Sequence, residues 1–242
     1  MRFEALIFDF DGVIVDSEIL SNAILADALT ALGHPTSLEQ AVERYIGLNW
    51  RDMGAVIEAE IGRPLPAGFR ARAKEAFELR LDEVTAVAGV EAFLAAIPSI
   101  PKAVASSSPT QWLRDSLERF GLSRHFENRL FSAAEHVDRG KPHPDIYLHA
   151  ARALGVRPAA VLVLEDTPTG VKSARAAGMT VVGLCAGLHC GAGHGERLRA
   201  AGADHIAGSY AEVSSLVMPD LALPFRGGVG VGNVGENVRR RQ

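Results

Sequence analysis

The sequence is short of cysteine, of aromatic residues and of long apolar runs, and each shortage closes off a class of protein. Its 242 residues include two cysteines, Cys185 and Cys190. No disulfide framework is implied, the spacing is not that of a CxxC redox pair, and two free thiols are expected. The segment Leu188-His189-Cys190-Gly191-Ala192-Gly193-His194 puts one thiol and two imidazoles in a glycine-rich loop. It lacks four-ligand zinc spacing, which argues against a zinc site. With 25 basic and 29 acidic residues and a net charge of -4, the chain has no broad cationic surface, and its only basic run, Arg239-Arg240-Arg241, stands at the very end. Nucleic acid is therefore not an expected partner. No apolar stretch approaches the roughly 18 to 20 residues that span a bilayer, and acids stand where a signal peptide needs a basic start. A cytoplasmic chain with no membrane association is expected, and monomer is the default state.

What the sequence does contain is a recurring apolar run with acids or hydroxyls at its end. The first is Ala5-Leu6-Ile7-Phe8, followed at once by Asp9-Phe10-Asp11-Gly12-Val13. A run apolar on both pleat faces suits a central strand of a parallel sheet, and such sheets bind ligands just beyond the carboxyl ends of their strands. Two acids two residues apart at that place can hold a divalent cation while one attacks an electrophile and the other moves a proton. Asp and Gly are also ordinary turn residues, so this segment alone decides nothing.

Three later segments place polar residues suited to phosphate after an expected strand: Ala103-Val104-Ala105-Ser106-Ser107-Ser108, Gly140-Lys141-Pro142-His143-Pro144-Asp145 and Val161-Leu162-Val163-Leu164-Glu165-Asp166. In order and spacing, these three and Asp9-x-Asp11 resemble the four motifs of the haloacid dehalogenase superfamily of phosphotransferases, over nearly the whole chain. Asp9 through Glu18 and Leu164 through Gly170 resemble the branch that holds beta-phosphoglucomutase and many small sugar-phosphate phosphatases.

Strand and helix signals alternate from Leu6 to Val217, the pattern of an α/β, Rossmann-like, doubly wound parallel sheet. Strands are expected at 4–8, 102–106, 129–132, 161–165 and 180–184. Between the first two, helical spacing takes over: Leu20, Ile24, Ala28 and Leu32; Met53, Val56, Ile57 and Ile61; Phe69, Ala73, Ala76, Phe77 and Leu81. Gly33 reads as a helix stop, Ser37 with Gln40 as a capping box, and Asn49 as the cap of a third helix. Four helices fit between about Ser17 and Val84. The expected organisation is a core domain of residues 1–16 and 86–218, a helical-bundle domain of residues 17–85, and a disordered tail of residues 219–242. In the resembling family the insert is a cap that closes over the site, here hinged at Asp16-Ser17-Glu18 and Ala86-Val87-Ala88-Gly89.

Cleaving a phosphate ester needs a nucleophile that can approach an anion. A carboxylate, ionised at neutral pH, meets repulsion that a magnesium ion offsets. Asp9 is assigned as that nucleophile, forming an aspartyl-phosphate, with its second oxygen on the metal. The resemblance implies that Asp11 is the general acid and then the base, its backbone carbonyl ligating Mg2+. It further implies that Ser106, with Ser107 and Gly12, binds the transferring phosphoryl group and that Lys141 neutralises Asp9 and the phosphate. Asp166 is expected as a direct metal ligand and Glu165 as a ligand either direct or through water. Thr167 before Pro168 reads as a helix cap. Ser108 is expected only to cap the helix that follows it, and His143 and Asp145 to be structural. Glu18, Asn49, Arg51 and Lys74 are candidate substrate contacts from the cap.

The expected activity is magnesium-dependent hydrolysis of a small sugar phosphate or sugar-acid phosphate. A mutase is the first alternative, but Ser21 stands where family mutases carry a histidine, and the cap-loop arginine is shifted to Arg51, with Trp50 before it. A dehalogenase does not use the second acid of Asp9-x-Asp11. A phosphonate hydrolase needs a Schiff-base lysine, and Lys74 is the only lysine of the cap. A binding protein that kept the fold is the alternative from another class.

Overall fold

The computed structural model describes residues 3–218 except 47 and 49, and of Arg51 the backbone alone. Asn49 and the tail 219–242 lie outside the described residues, as does the side chain of Arg51. The chain begins with β1 (Ala5–Phe8) and a two-residue strand β2 (Val15–Asp16), followed by four helices, α1 (Glu18–Ala31), α2 (Leu38–Tyr45), α3 (Trp50–Ile61) and α4 (Phe69–Glu78). A second short strand, β3 (Thr85–Ala86), leads into α5 (Val90–Ala96), β4 (Lys102–Ser106), α6 (Thr110–Arg119), β5 (Leu130–Ser132), α7 (Ala133–His136) and α8 (Asp145–Leu154). The chain continues through β6 (Val161–Glu165), α9 (Pro168–Ala176), β7 (Thr180–Leu184), α10 (His194–Ala200), β8 (His205–Ala207) and α11 (Tyr210–Val217).

Six strands pair in the order β5-β4-β1-β6-β7-β8, every ladder parallel. β1 lies between β4 and β6, and the pleat explains why its four residues are all apolar. Leu6 and Phe8 face a core shared with α5, α6 and α11, while Ala5 and Ile7 face a second core shared with α8, α9 and α10. Both faces are therefore covered, as a doubly wound sheet requires. Phe8 meets Phe93 and Phe126 edge to face at centroid distances of 6.2 and 5.5 Å. A fully buried side chain of this size contributes about 1.5–3 kcal/mol of hydrophobic stabilisation.

The five expected strands are present within a residue at each end. β8 was not anticipated: three residues at the sheet edge carry too little apolar periodicity to be read. Nor was the antiparallel β2–β3 ribbon, which pairs Val15 with Ala86 and Asp16 with Thr85. It ties together the two crossings between the sheet and the α1–α4 insertion, at the segments read as hinges.

Local signals hold within the insertion. Gly33 ends α1 with φ +85°, a conformation natural to glycine, and Ser37 and Gln40 form both bonds of a capping box on α2, at 3.2 and 2.9 Å. The apolar stripe of α1 is broader than expected. Leu20 and Ile24 pack into the core beside the sheet, whereas Leu25, Ala26 and Leu29 build a separate core with Ala41, Tyr45, Ile57 and Phe69. Val56, expected on the buried stripe of α3, is exposed at 37% because Ile57 takes the inward position. Among the described residues no helix is long and apolar enough to cross a membrane.

Candidate active site

The parallel ladders bring the carboxyl ends of β1, β4 and β6 to one edge of the sheet. Asp9 follows Phe8, Ser106 ends β4, and Glu165 ends β6 with Asp166 next in the chain. The Asp9 N–H donates to the Leu164 carbonyl at 2.9 Å, so the β1 ladder continues into the first acid. Lys141 reaches in from the loop before α8. Its Nζ donates to Asp9 Oδ1 and to Glu165 Oε1, each at 2.7 Å, and lies 4.9 Å from the centroid of the Tyr147 ring. Burial works against the Lys141 ammonium, but the two carboxylates outweigh it and hold its pKa above the ordinary value. Burial likewise pushes the Asp9 carboxyl well up, against the pull of Lys141 and with the push of Glu165 and Asp166.

Glu165 is held at both oxygens of its carboxylate. Its Oε1 accepts from Lys141 and, at 2.8 Å, from the Tyr147 hydroxyl; its Oε2 accepts from the Thr167 N–H and hydroxyl at 3.0 and 3.1 Å. With both oxygens engaged and no exposed surface, Glu165 is turned inward against Gly170, where a Cβ would stand 1.5 Å from Oε1. Protein donors engage both oxygens of this carboxylate, which favours the through-water alternative for Glu165 over the direct one. Thr167 caps α9 as expected, accepting from Gly170 N at 3.1 Å, and also holds Glu165.

Asp166 is the opposite case. It is fully buried, neither side-chain oxygen has a hydrogen-bond partner, and burial followed by the Glu165 charge drives its pKa well up. A buried carboxylate without donors is costly. Oxygens of Asp9, Glu165 and Asp166 lie within 4.8 Å of one another. This all-oxygen donor set, with Asp166 unpartnered, fits a small hard dication.

Gly12 has φ +78°, and a Cβ there would stand 1.9 Å from Asp166 Oδ2. Its N–H donates to the Val15 carbonyl at 2.7 Å, so the phosphate contact expected of Gly12 is not available from that group; the residue instead makes room for Asp166. Gly12→Ala is expected to displace Asp166 as well as strain the turn. Stability should fall by about 1–2 kcal/mol from the backbone alone, and metal affinity should drop at least about tenfold. Calorimetric titration with magnesium checks this, and unchanged affinity in the folded variant would refute the steric argument.

Asp11 is held by three donors. Oδ1 accepts from the Ser17 hydroxyl at 2.6 Å and the Trp112 indole N–H at 3.0 Å; Oδ2 accepts from the Ser108 hydroxyl at 2.6 Å. Ser108 is thus not the cap it was expected to be. α6 starts after Pro109 with no side-chain cap, and Glu135 accepts from the Thr110 N–H at 2.8 Å instead. The Ser106 hydroxyl is buried and accepts from the Ser108 N–H at 3.0 Å, while Ser107 is exposed. His143 and Asp145 are structural. The His143 carbonyl accepts from Ser173, and Asp145 pairs with Arg139 at 2.8 and 2.9 Å.

From the insertion, partly buried Glu18 comes close to the acids. Burial, then the charges of Asp11 and Asp166, push its carboxyl up to about 8. Lys74 is an exposed residue of α4 paired with Glu78 at 3.2 Å. It borders an open cleft of about 860 Å³ that Trp50, Phe69, Arg70 and Pro109 also line, with the Arg70 guanidinium 5.6 Å from the centre of the Trp50 ring. Trp112, Tyr147, Arg70 and His189, whose Nε2 is 3.0 Å from Asp166 Oδ2, were not anticipated as site residues. None carries a local signal, since each reaches the site from a different crossover.

The haloacid dehalogenase-like hydrolase family model matches residues 6–184. The chain belongs to this family. It is 29% identical over 193 residues to a 6-phosphogluconate phosphatase of Escherichia coli, covering 78% of this chain and 85% of that one. It is 32% identical over 186 residues to a fructose-1-phosphate phosphatase of the same organism, covering 75% and 96%. A haloacid dehalogenase-like protein of unknown function from Agrobacterium tumefaciens has a similar structure, with a TM-score of 0.82, 35% identity, and coverage of 89% of this chain and 97% of that one.

Proposed function

We propose that this hydrolase is a magnesium-dependent phosphatase of small phosphorylated sugars or sugar acids, acting through an aspartyl-phosphate on Asp9. The observation that carries the reading is Lys141 bridging Asp9 and Glu165 beside an unpartnered Asp166. The phosphatase relatives support the substrate class.

Asp9 attacks phosphorus, the bond from phosphorus to the ester oxygen breaks, and Asp11 gives the departing alkoxide its proton. Water then attacks the aspartyl-phosphate as Asp11 takes a proton back, which releases phosphate and restores the Asp9 carboxylate. Lys141 fixes the attacking carboxylate and offsets phosphoryl charge, and the Ser106 hydroxyl and Ser107 N–H receive phosphoryl oxygens. Glu165 anchors Lys141 from behind. Asp9, the Asp11 carbonyl and Asp166 would hold magnesium, which would supply the positive charge that lets two anions meet. Asp11 reaches the leaving group only after exchanging at least one of its bonds to Ser17, Ser108 and Trp112. Of these donors only Ser17 belongs to residues 17–85, so a shift of that segment, as a cap on the core of residues 1–16 and 86–218, releases its bond. Trp50, Arg70 and Lys74 then face the sugar across the cleft.

Metal and pH are linked. Asp9, Asp166 and Glu18 are all raised by burial, so the metal-free fold holds protons that the unfolded chain has released, and its stability falls as pH rises from about 5 to 8. Magnesium binding is expected to expel protons, and the rise in Tm on adding magnesium is expected to be larger at pH 8 than at pH 5.5. Calorimetry in buffers of different ionisation enthalpy counts the protons, and a metal-bound form that releases none would contradict this.

The function is tested by phosphate release from a panel that includes 6-phosphogluconate, fructose 1-phosphate and beta-glucose 1-phosphate, with magnesium and then with a chelator. Chelator-sensitive release is expected. Conversion of beta-glucose 1-phosphate to glucose 6-phosphate without release would make the protein a mutase, and no turnover of any compound would make it a binding protein.

A further inference from the structure

The loop between β7 and α10 carries a second group of metal-binding side chains that the phosphatase reading does not use. Ligand atoms of His189, Cys190 and His194 lie within 4.8 Å of one another, and both imidazoles are buried. The sequence offered these three donors; Cys185, the first residue after β7, brings a second thiol to the edge of the group, where its Sγ would stand 3.7 Å from a Cβ on Gly195. One thiol and two imidazoles form a soft donor set of the kind that selects zinc-like cations over magnesium.

The two rings are already oriented as ligands. His194 Nε2 is 2.6 Å from the Asp166 carbonyl oxygen, and His189 Nε2 is 3.0 Å from Asp166 Oδ2. His194, donating its Nε2–H to that carbonyl, keeps Nδ1 as its lone-pair atom, the usual arrangement behind a metal-bound histidine, whereas His189 meets the Cys190 thiol through Nε2. His189 Nδ1 is buried with no hydrogen-bond partner. His194 Nδ1 accepts from exposed Arg197 at 3.0 Å, a contact that the guanidinium can give up to solvent. Cys190 Sγ stands 3.2 Å from the His189 ring at Nε2. Ligands of a tetrahedral zinc ion are about 3.6 Å apart, given metal distances of roughly 2.3 Å to sulfur and 2.0–2.1 Å to nitrogen. Small movements of a glycine-rich loop suffice to close the set.

We infer that His189, Cys190 and His194 form a binding site for a thiophilic divalent cation such as zinc, and that occupancy of this site weakens magnesium binding at Asp166. The coupling follows from the hydrogen bonds. His194 Nε2 holds the Asp166 carbonyl and His189 Nε2 lies 3.0 Å from Oδ2, so a cation on the rings strengthens the first bond and adds positive charge beside the carboxylate that the hard metal needs. The inhibitory part rests on the phosphatase reading; the binding part does not.

The test uses the full chain under reducing conditions with excess magnesium, and zinc as the probe in competition with a chromogenic chelator. Wild type is expected to bind one zinc ion, and Cys190→Ser to bind it at least about tenfold more weakly. Cobalt in place of zinc is expected to give a thiolate-to-metal charge-transfer band in wild type that Cys190→Ser lacks. Zinc should raise the magnesium concentration needed for half-maximal phosphate release in wild type, while Cys190→Ser keeps its magnesium-dependent activity and resists zinc. Equal zinc affinity in the two proteins, or a cobalt spectrum without the thiolate band, would overturn the site. Equal zinc inhibition would overturn the coupling. Cysteine-dependent binding in a protein that turns over no phosphate ester would leave the site standing and remove the phosphatase reading instead.

Discussion

Asp9→Asn is expected to abolish phosphate release while leaving the protein folded. The amide has the same shape, and its oxygen can still accept from Lys141, which keeps Glu165 as its charged partner. What disappears is the anionic oxygen that attacks phosphorus. A group that forms the covalent intermediate acts only in the reaction path, so its loss lowers kcat by about a thousandfold or more. Phosphate release measured beside circular dichroism checks the expectation. Quenching wild type in acid during turnover should recover a phosphoryl group on the peptide that contains Asp9, and the variant should yield none. A folded Asp9→Asn protein that kept more than a few per cent of activity would remove Asp9 as nucleophile.

Lys141→Met should have the largest effect on stability. The ammonium is buried and lies 2.7 Å from two carboxylates, one of them fully buried. Removing one partner of a buried ionic group leaves the others uncompensated and costs about 3–5 kcal/mol. In a chain of this size that corresponds to a fall in Tm of roughly 6–20 °C. The sign of the pH dependence follows from the groups left behind. The folded-state pKa of Lys141 is raised, so its stabilisation is present throughout the neutral range and is lost only at high pH. In the variant, Asp9 loses the cation that lowered its pKa, so this carboxyl stays protonated to still higher pH. The penalty therefore grows as pH rises from 5.5 to 8, and thermal melts at those two values should show the larger gap at pH 8. Equal melting temperatures for both proteins at pH 8 would contradict the ionic account. Activity should also vanish, because among the described residues Lys141 is the side chain that donates to the Asp9 carboxylate.

Some of this arrangement was legible residue by residue. Ala5–Phe8 could be placed at the centre of a parallel sheet because both of its faces are apolar, and acids directly after such a run fall where open sheets bind ligands. Ser37 with Gln40, and Thr167 before Pro168, announce helix starts because a cap bond spans only a few residues. Ser108 shows where this kind of reading stops. Its neighbours Pro109 and Thr110 suggested a cap, but its hydroxyl binds Asp11, 97 residues away. Glu165 shows the same limit: next to Asp166 it read as a ligand direct or through water, and nothing local showed that Lys141, Tyr147 and Thr167 engage both of its oxygens. Two adjacent residues at a strand end point to opposite faces of the pleat, and only the packing on each side decides which one is left unpartnered.

By itself, then, the sequence determined the strands of the sheet up to its edge, the helical character of the insertion, and the four segments that hold the acids, serine and lysine of the site. Those features rest on periodicity and short-range hydrogen bonds, which neighbouring residues determine. Tertiary structure alone decided that Lys141 bridges Asp9 and Glu165, that Gly12 makes room for Asp166, that Asp11 is held by Ser108 and Trp112 from a distant segment, and that His189, Cys190 and His194 come together beside Asp166. Each of these depends on strand order, because loops separated by tens of residues meet only where the parallel ladder brings the carboxyl ends of its strands side by side.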